Sequence, residues 1–388
     1  MSTDHDSFDK KYIAAHAAAH APAITLEDET ARFRVLQHDR TDLWEETAFA
    51  LVAECGDHDV LMWTAGYLLK ANGRGVWIDK EAAEHDMLFI AVPRAGRGRM
   101  SDNHFARSGW HRGERLALGA VRIHGDDDQV VWQFEEQQFI SKPQTAPPSW
   151  KAQGRVAGLE LDLTYRQQGK PLWNWGSFAS AAQTERGGYD VFARVDGTIV
   201  AGDRTFVVEN GQGVREHILV GQAADPIRNL PPPRVMWWLY ATKNDVRINF
   251  FRPGTVDIGT VHAGEQEIKF NPAAGKGSIS FETLEHWEDP RNGYHLPVRW
   301  RLTMSSSGCV VDLDIRCHGR AYEHWTCDAG VRMYCYQICT CDGWVQLPDG
   351  RRIEFSDHLL LNSFNRTILV KNERIDGPHY ETTIASGR

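Results

Sequence analysis

The stretch Val156-Ala157-Gly158-Leu159-Glu160-Leu161-Asp162-Leu163-Thr164-Tyr165 decides the fold class. Leu159, Leu161 and Leu163 fall on one side of an extended chain, and Glu160, Asp162 and Thr164 on the other. That alternation is the mark of a strand with one buried face. Working outward, the same period of two recurs at Ala31–Leu36, Thr47–Glu54, Val60–Leu69, Met87–Val92, Leu116–Ile123, Val130–Phe139, Tyr189–Val195, Thr205–Val208, Val214–Val220 and Val235–Ala241. A second run holds Val246–Phe251, Val256–Val261, Glu267–Phe270, Ser278–Leu284, Val298–Met304, Val310–Arg316, Met333–Thr340 and Arg352–Phe355. Gly56-Asp57-His58-Asp59 and Gly125-Asp126-Asp127-Asp128 are turn sequences, and Asp342-Gly343 and Asp349-Gly350 are hairpin dipeptides. Helix is confined to Tyr12–Ala21, stopped by Pro22, and to Phe178–Arg186. The expected class is all-β, with two consecutive antiparallel β-barrels or sandwiches after a short N-terminal helical extension. The expected divisions are 1–28 for the extension, 29–243 for the first β domain and 244–388 for the second.

Composition narrows the function. The chain has 388 residues, 42% hydrophobic and 24% charged, with 43 basic and 52 acidic side chains and a net charge of −9. These are globular values, and an acidic chain without a long basic run is a poor partner for nucleic acid or an anionic membrane. No apolar run approaches the ~20 residues of a spanning helix. The opening MSTDHDSFDKKY lacks a secretory signal, so a cytoplasmic location is expected. The 14 tryptophans are many for this length; stiff indoles suit the wall of an apolar ligand cavity as well as a core.

Most chemical motifs are missing. There is no P-loop, no strand–GxGxxG–helix unit, no GxSxG elbow and no HExxH, so no cofactor is expected. Gly96-Arg97-Gly98-Arg99 reads as a solvated basic turn. His16 and His20 have i, i+4 spacing but no carboxylate nearby, and read as a solvated helix face. Six of the seven cysteines lie between Cys309 and Cys341 without a CxxC pair. Cys335, Cys339 and Cys341 share strand parity and would line one face as buried thiols, so no metal site is expected.

One constellation carries chemistry. Gly211-Gln212-Gly213-Val214-Arg215-Glu216-His217 is followed, after a proline-rich loop, by Trp237-Trp238-Leu239-Tyr240. Alternation puts Arg215 and His217 on one face with Glu216 opposite, and Trp238 and Tyr240 on one face with Trp237 opposite. An imidazole inside an apolar cavity is favoured in its neutral form and suits proton transfer near neutral pH. Tyr240 could orient a water, and indole faces could stabilise a developing cation. Asp190, beside Tyr189, is a second carboxylate candidate. Trp173-Asn174-Trp175 could line the same cavity or form a lid. The same residues also read as a satisfied core histidine among packing tryptophans.

Four stretches then show a resemblance: Trp44-Glu45-Glu46; Gly213-Val214-Arg215-Glu216-His217; Trp237-Trp238-Leu239-Tyr240; and Glu285-His286-Trp287-Glu288-Asp289-Pro290 with Gly293, Tyr294, Pro297 and Trp300. Together they resemble the lipocalin-like double-barrel proteins that include carotenoid 1,2-hydratase (hydroxyneurosporene synthase) and the AttH-like proteins, over roughly residues 40–360. The resemblance implies a large apolar pocket and cofactor-free chemistry on an isoprenoid- or polyketide-like molecule. It places an acid/base pair at Glu216 and His217, with Trp237, Trp238 and Tyr240 contributing from the next strand. Two departures stand out. Glu216 replaces the usual Asp, and Ile218-Leu219-Val220-Gly221 stands where Trp-Gly is usual, which points to a divergent member with its own substrate. The expected function is a hydratase, dehydratase, cyclase or isomerase, with Glu216, His217, Tyr240 and Asp190 catalytic and Trp173, Trp175, Tyr189, Arg215, Trp237 and Trp238 binding the substrate. The alternative is a carrier that binds a hydrophobic ligand without turning it over.

Overall fold

The structure, a computed structural model, describes residues 13–16, 22–31, 43–70, 81–100, 105–110, 116–117, 121–181, 186–221, 235–327 and 330–370. Nearly all of this is antiparallel strand, in two curled half-barrel sheets. It divides into two compact units, one from Ala18–Ala91 and Phe105–Asp225, the other from Met1–Ala17, Val92–His104 and Pro226–Arg388. Among the described residues no helix is long and apolar enough to cross a membrane.

The first sheet has twelve strands: β1 (Leu43–Cys55), β2 (His58–Lys70), β3 (Glu81–Pro93), β4 (Phe105–Trp110), β5 (Leu116–Ala117), β6 (Arg122–Gly125), β7 (Val130–Phe134), β8 (Gln137–Lys142), β9 (Ser149–Val156), β10 (Leu159–Gln167), β11 (Arg186–Ala201) and β12 (Arg204–Gly221). Their order is β4-β3-β2-β1-β12-β11-β10-β9-β8-β7-β6, with β5 on β3. Neighbours in sequence pair as a meander, and among the described residues the one long-range pairing is β1 on β12. The deciding stretch behaves as its alternation requires. Leu159, Leu161, Leu163 and Tyr165 are buried, and Glu160 and Asp162 are exposed. Its turn is Ala157-Gly158, with φ of +52° and +76°, the mirror-image geometry that matches strand twist.

The second sheet has nine strands: β13 (Val235–Lys243), β14 (Val246–Pro253), β15 (Ile258–Ala263), β16 (Gln266–Phe270), β17 (Ser278–Glu288), β18 (His295–Ser306), β19 (Cys309–Cys327), β20 (Gly330–Gln346) and β21 (Arg352–Val370). Their order is β16-β15-β14-β13-β21-β20-β19-β18-β17. Each sheet curls around its own apolar core. Trp132, Trp150, Phe49, Phe89 and Phe139 fill the first, and Trp237, Trp300, Phe250 and Phe364 fill the second.

Several expectations change. β13 is hydrogen-bonded to β14 and β21, so a break at 243/244 would cut a strand from its own sheet. Thr205–Val208 and Val214–Val220 are one strand, because Gly211 and Gly213 run extended through β12. Val130–Phe139 is a hairpin, β7 and β8. Asp342-Gly343 is no hairpin turn; it lies within β20 at a register shift, where a Cβ on Gly343 would collide with the Asp312 carbonyl oxygen. The helix expected at Phe178–Arg186 opens with a 3₁₀ turn at Phe178–Ser180, residues 182–185 lie outside the described residues, and Arg186 belongs to β11. Of the N-terminal segment, residues 13–16 and 22–31 are described, and Ile24 and Glu29 are buried. His16 is buried, with its Nε2 3.1 Å from Thr260 Oγ1, which overturns the solvated-face assignment. Arg32–Leu36, His20 and the proline cluster at 231–233 lie outside the described residues.

Candidate functional site

The register of β1, β11 and β12 builds the site. Thr47 on β1 and Tyr189 on β11 stand on either side of His217 on β12. Phe49 and Val191 flank Arg215, and Ala48 and Asp190 flank Glu216. Residues directly opposite share a face. Thr47, Phe49, Tyr189, Arg215 and His217 therefore face the core inside the curl, and Glu216 and Asp190 face the other way. Gly213, two residues before Arg215, lets the sheet close over Tyr165: a Cβ there would collide with Val195 Cγ2 and lie 2.7 Å from Tyr165 Cε1.

His217 has no solvent exposure. Its Nε2 lies 2.8 Å from Glu45 Oε1, also fully buried, and its Nδ1 lies 3.9 Å from Glu29 Oε2. Rings enclose it: Trp132 edge-on at 5.5 Å, Phe178 at 5.0 Å and Tyr189 at 6.0 Å between centroids. A carboxylate accepting from Nε2–H leaves Nδ1 as the basic nitrogen.

Glu29 is the last residue of the one-turn helix α1 (Leu26–Glu29). Thr25 caps it: its hydroxyl accepts from the Asp28 amide, and the Asp28 carboxylate accepts from the Thr25 amide in return. Ile24 packs into the core and aims the turn inward. The Glu29 carboxylate accepts from Trp150 Nε1 at 2.5 Å, Tyr189 OH at 2.6 Å, Arg215 Nη2 at 2.8 Å and Ser141 Oγ at 2.9 Å. Its backbone carbonyl accepts from Trp132 Nε1 at 2.8 Å. The Arg215 guanidinium also lies over the Phe49 ring at 5.0 Å and donates to the Glu216 carbonyl. Burial, against the pull of Arg215, holds the Tyr189 phenol well above its ordinary pKa, so it stays a proton donor.

On the opposite face, Glu216 hydrogen-bonds Glu46 and Asp190, all three buried. Burial first, and then those two carboxylates, push the Glu216 pKa well up and so favour its protonated form.

The expected site residues thus separate. Arg215, His217 and Tyr189 share the interior, joined by Trp173, which stands edge-on to Tyr189 at 5.1 Å. Trp175 is buried in the same loop. Glu216 and Asp190 share the other face. Trp237, Trp238 and Tyr240 belong to the second sheet, so among the described residues no strand pairing joins them to His217. Trp237 stacks on Phe364 at 4.7 Å within that core, and Trp238 stacks on Phe251 at 5.3 Å. The opposite-face arrangement of Arg215 with His217 against Glu216 is as the alternation requires.

Sequence reasoning missed Glu29, Glu45, Thr47, Ser141, Trp132 and Trp150. Glu45 had a signal: it shares parity with Phe49 and Leu51, and a carboxylate on an apolar face needs a partner. Glu29 had none, since Leu26-Glu27-Asp28-Glu29 reads as a solvated acidic turn. A second buried imidazole, His85, bonds Gln137, whose Nε2 donates to Thr64 Oγ1 at 2.9 Å. In the second sheet, Cys317, Cys335, Cys339 and Cys341 are buried free thiols within the core, and burial raises the pKa of Cys335, Cys339 and Cys341. No group of three or more potential metal ligands is found among the described residues.

No family model matches the chain, and neither does any curated protein sequence. Solved structures do. An AttH protein, NE1406 from Nitrosomonas europaea, is 12% identical, with a TM-score of 0.57 over 90% of this chain and 98% of its own. CghA in a structure with Sch210972 is 13% identical, with a TM-score of 0.54 over 84% of this chain and 89% of its own. CghA in a second structure is 11% identical, with a TM-score of 0.53 over 91% and 96%. Likeness at this identity speaks for architecture. The chain has the fold of the AttH protein and CghA, the lipocalin-like double-barrel fold that its sequence motifs resemble.

Proposed function

We propose that the chain is a hydratase- or cyclase-type acid–base enzyme acting on a hydrophobic, unsaturated small molecule, isoprenoid- or polyketide-like, in the interior of the first sheet. The observation that carries this reading is the His217–Glu45 pair: an imidazole of zero exposure, held through Nε2 at 2.8 Å by a carboxylate of zero exposure, inside a shell of aromatic rings. Glu45 orients the ring and stabilises the imidazolium. His217 Nδ1 takes a proton from the substrate or returns one to it, a role typically worth ~10²–10⁴-fold in rate. The indole and phenyl faces exclude water and hold the chain of the substrate. CghA, which shares the fold, has a structure with Sch210972, in keeping with a ligand-holding role. Glu216 and Asp190 act from the opposite face as a buried proton store or as structure, not in contact with the imidazole. A cytoplasmic protein with a small-molecule partner and no nucleic-acid partner belongs to the same proposal.

The test is to identify by mass spectrometry the compounds that copurify with the protein, and then to assay related unsaturated compounds for gain or loss of water or for a new ring. His217→Gln should lose turnover by about a hundredfold or more and keep ligand uptake. Full turnover in that variant removes His217 from the chemistry. Uptake without turnover by the unaltered protein favours the carrier instead.

A further inference from the structure

Four side-chain donors fill the acceptor sites of the Glu29 carboxylate. Trp150 Nε1, Tyr189 OH, Arg215 Nη2 and Ser141 Oγ all point their hydrogens at its two oxygens. Three of these donors come from β8, β9 and β11, and the charged one comes from β12. Trp150 and Arg215 have no lone pair to offer, and Tyr189 is held in its protonated form. With a guanidinium among the donors, an anionic oxygen suits such a cradle best. Beyond it, the same interior contains polar atoms that are buried and lack a hydrogen-bond partner among the described residues: Arg215 Nε, Thr47 Oγ1 and Tyr165 OH. Thr47 stands opposite His217 in register, and the Tyr165 ring meets edge-on the Phe49 ring that carries the Arg215 guanidinium. Buried polar atoms left unanswered are costly and uncommon, and one of them belongs to Arg215, which holds the Glu29 carboxylate.

We propose that Glu29 is an internal stand-in for the acidic group of the ligand. The site takes an apolar molecule that carries a carboxylate or an enolate-type oxyanion. That oxygen displaces the Glu29 side chain from Trp150, Tyr189, Arg215 and Ser141. Because Glu29 Oε2 lies 3.9 Å from His217 Nδ1, the bound acid brings its neighbouring carbons to the basic nitrogen. The inference rests on the proposed use of this interior and narrows its substrate from any hydrophobic molecule to an apolar acid. It also makes α1 a self-blocking element whose competitor is the substrate.

The probe is cis-parinaric acid, a fluorescent polyene carboxylate, beside its uncharged methyl ester. Glu29→Ala should bind the acid about tenfold or more tighter than the unaltered protein does, since the competitor is gone. The ester should gain little, and acetate should displace the acid from the variant. Adding Arg215→Met should abolish the gain. Equal gain for acid and ester means only that room was made, and overturns the proposal; so does no gain for either. If Glu29→Ala does not fold by circular dichroism, Glu29→Gln decides by the same acid-to-ester comparison, since it keeps the shape and removes the charge. Binding is read without turnover. His217→Gln that is inactive but leaves the acid's gain intact supports both readings; a gain without any catalytic role for His217 leaves the cradle standing and removes only the enzyme.

Discussion

Replacing Arg215 by Met should loosen the first unit. The side chain is fully buried, and so is the Glu29 carboxylate it meets at 2.8 Å. Removing one partner of a buried pair costs about 3–5 kcal/mol, because the other charge is left in a poor solvent. Two features of the site move the figure within that range. Ser141, Trp150 and Tyr189 still donate to Glu29, which lowers the loss. The guanidinium also lies over Phe49 at 5.0 Å and Tyr189 at 5.8 Å, and such contacts add about 1 kcal/mol. Met refills much of the volume, so little cavity term follows. The expected loss is about 3–4 kcal/mol, which at roughly 2–4 °C per kcal/mol for a unit of this size lowers the first melting transition by about 6–16 °C. Glu29→Gln should reduce the penalty of Arg215→Met by about 1.5 kcal/mol or more in a double-mutant cycle. Urea and calorimetric melts of the four proteins measure this. A loss under about 1 kcal/mol for Arg215→Met, or additive effects in the cycle, would refute an ion pair that ties α1 into the barrel.

Two further expectations concern separate parts of the molecule. Burial, reinforced by Lys269, holds His16 down at a pKa of about 4, so the folded protein refuses a proton that the unfolded chain accepts. Stability from this group is complete above its ordinary value near 6.5 and is lost as pH falls toward 4, by ~2 kcal/mol at pH 5; His16→Gln should flatten that part of the profile in urea melts, and an unchanged slope removes His16 as its source. Gly213→Ala should destabilise by about 1–3 kcal/mol through contact with Val195 and Tyr165, whereas Gly96→Ala, which meets nothing within 4 Å, should stay within about 0.5 kcal/mol of the parent. Equal urea midpoints for the two variants would show that Val195 moves aside freely.

The fold was legible because alternation is local. Leu159 to Tyr165 and Val298 to Met304 each show one buried face in seven residues, and a meander only asks neighbours to pair. Strand lengths were less so. Gly211 and Gly213 look like a turn, yet they are strand residues whose bareness makes room for Leu51 and Val208 at the first and for Val195 and Tyr165 at the second. Trp237-Trp238-Leu239-Tyr240 follows the His217 segment in sequence, but β12 closes the first sheet onto β1 and β13 pairs with β21 in the second, so the two segments fall in different sheets. Arg215 and His217 were found because charged groups on an apolar face stand out. Their carboxylates, Glu29 and Glu45, lie 186 and 172 residues away, and only the closed pairing of β1 with β12 and the inward aim of α1 bring them together.

The thiols of the core have a bearing on handling the protein. Folded, Cys55 and Cys309 are held up at about 12 and 11 by burial, and burial raises Cys335 and Cys339 well above their ordinary value too, so almost none is present as reactive thiolate. Unfolding restores ordinary acidity to all of them at once. In aerated buffer the denatured chain then cross-links at random, and cooling no longer returns the native form. Recovery after heating should therefore depend on added reductant, although the native protein contains no disulfide among its described cysteines.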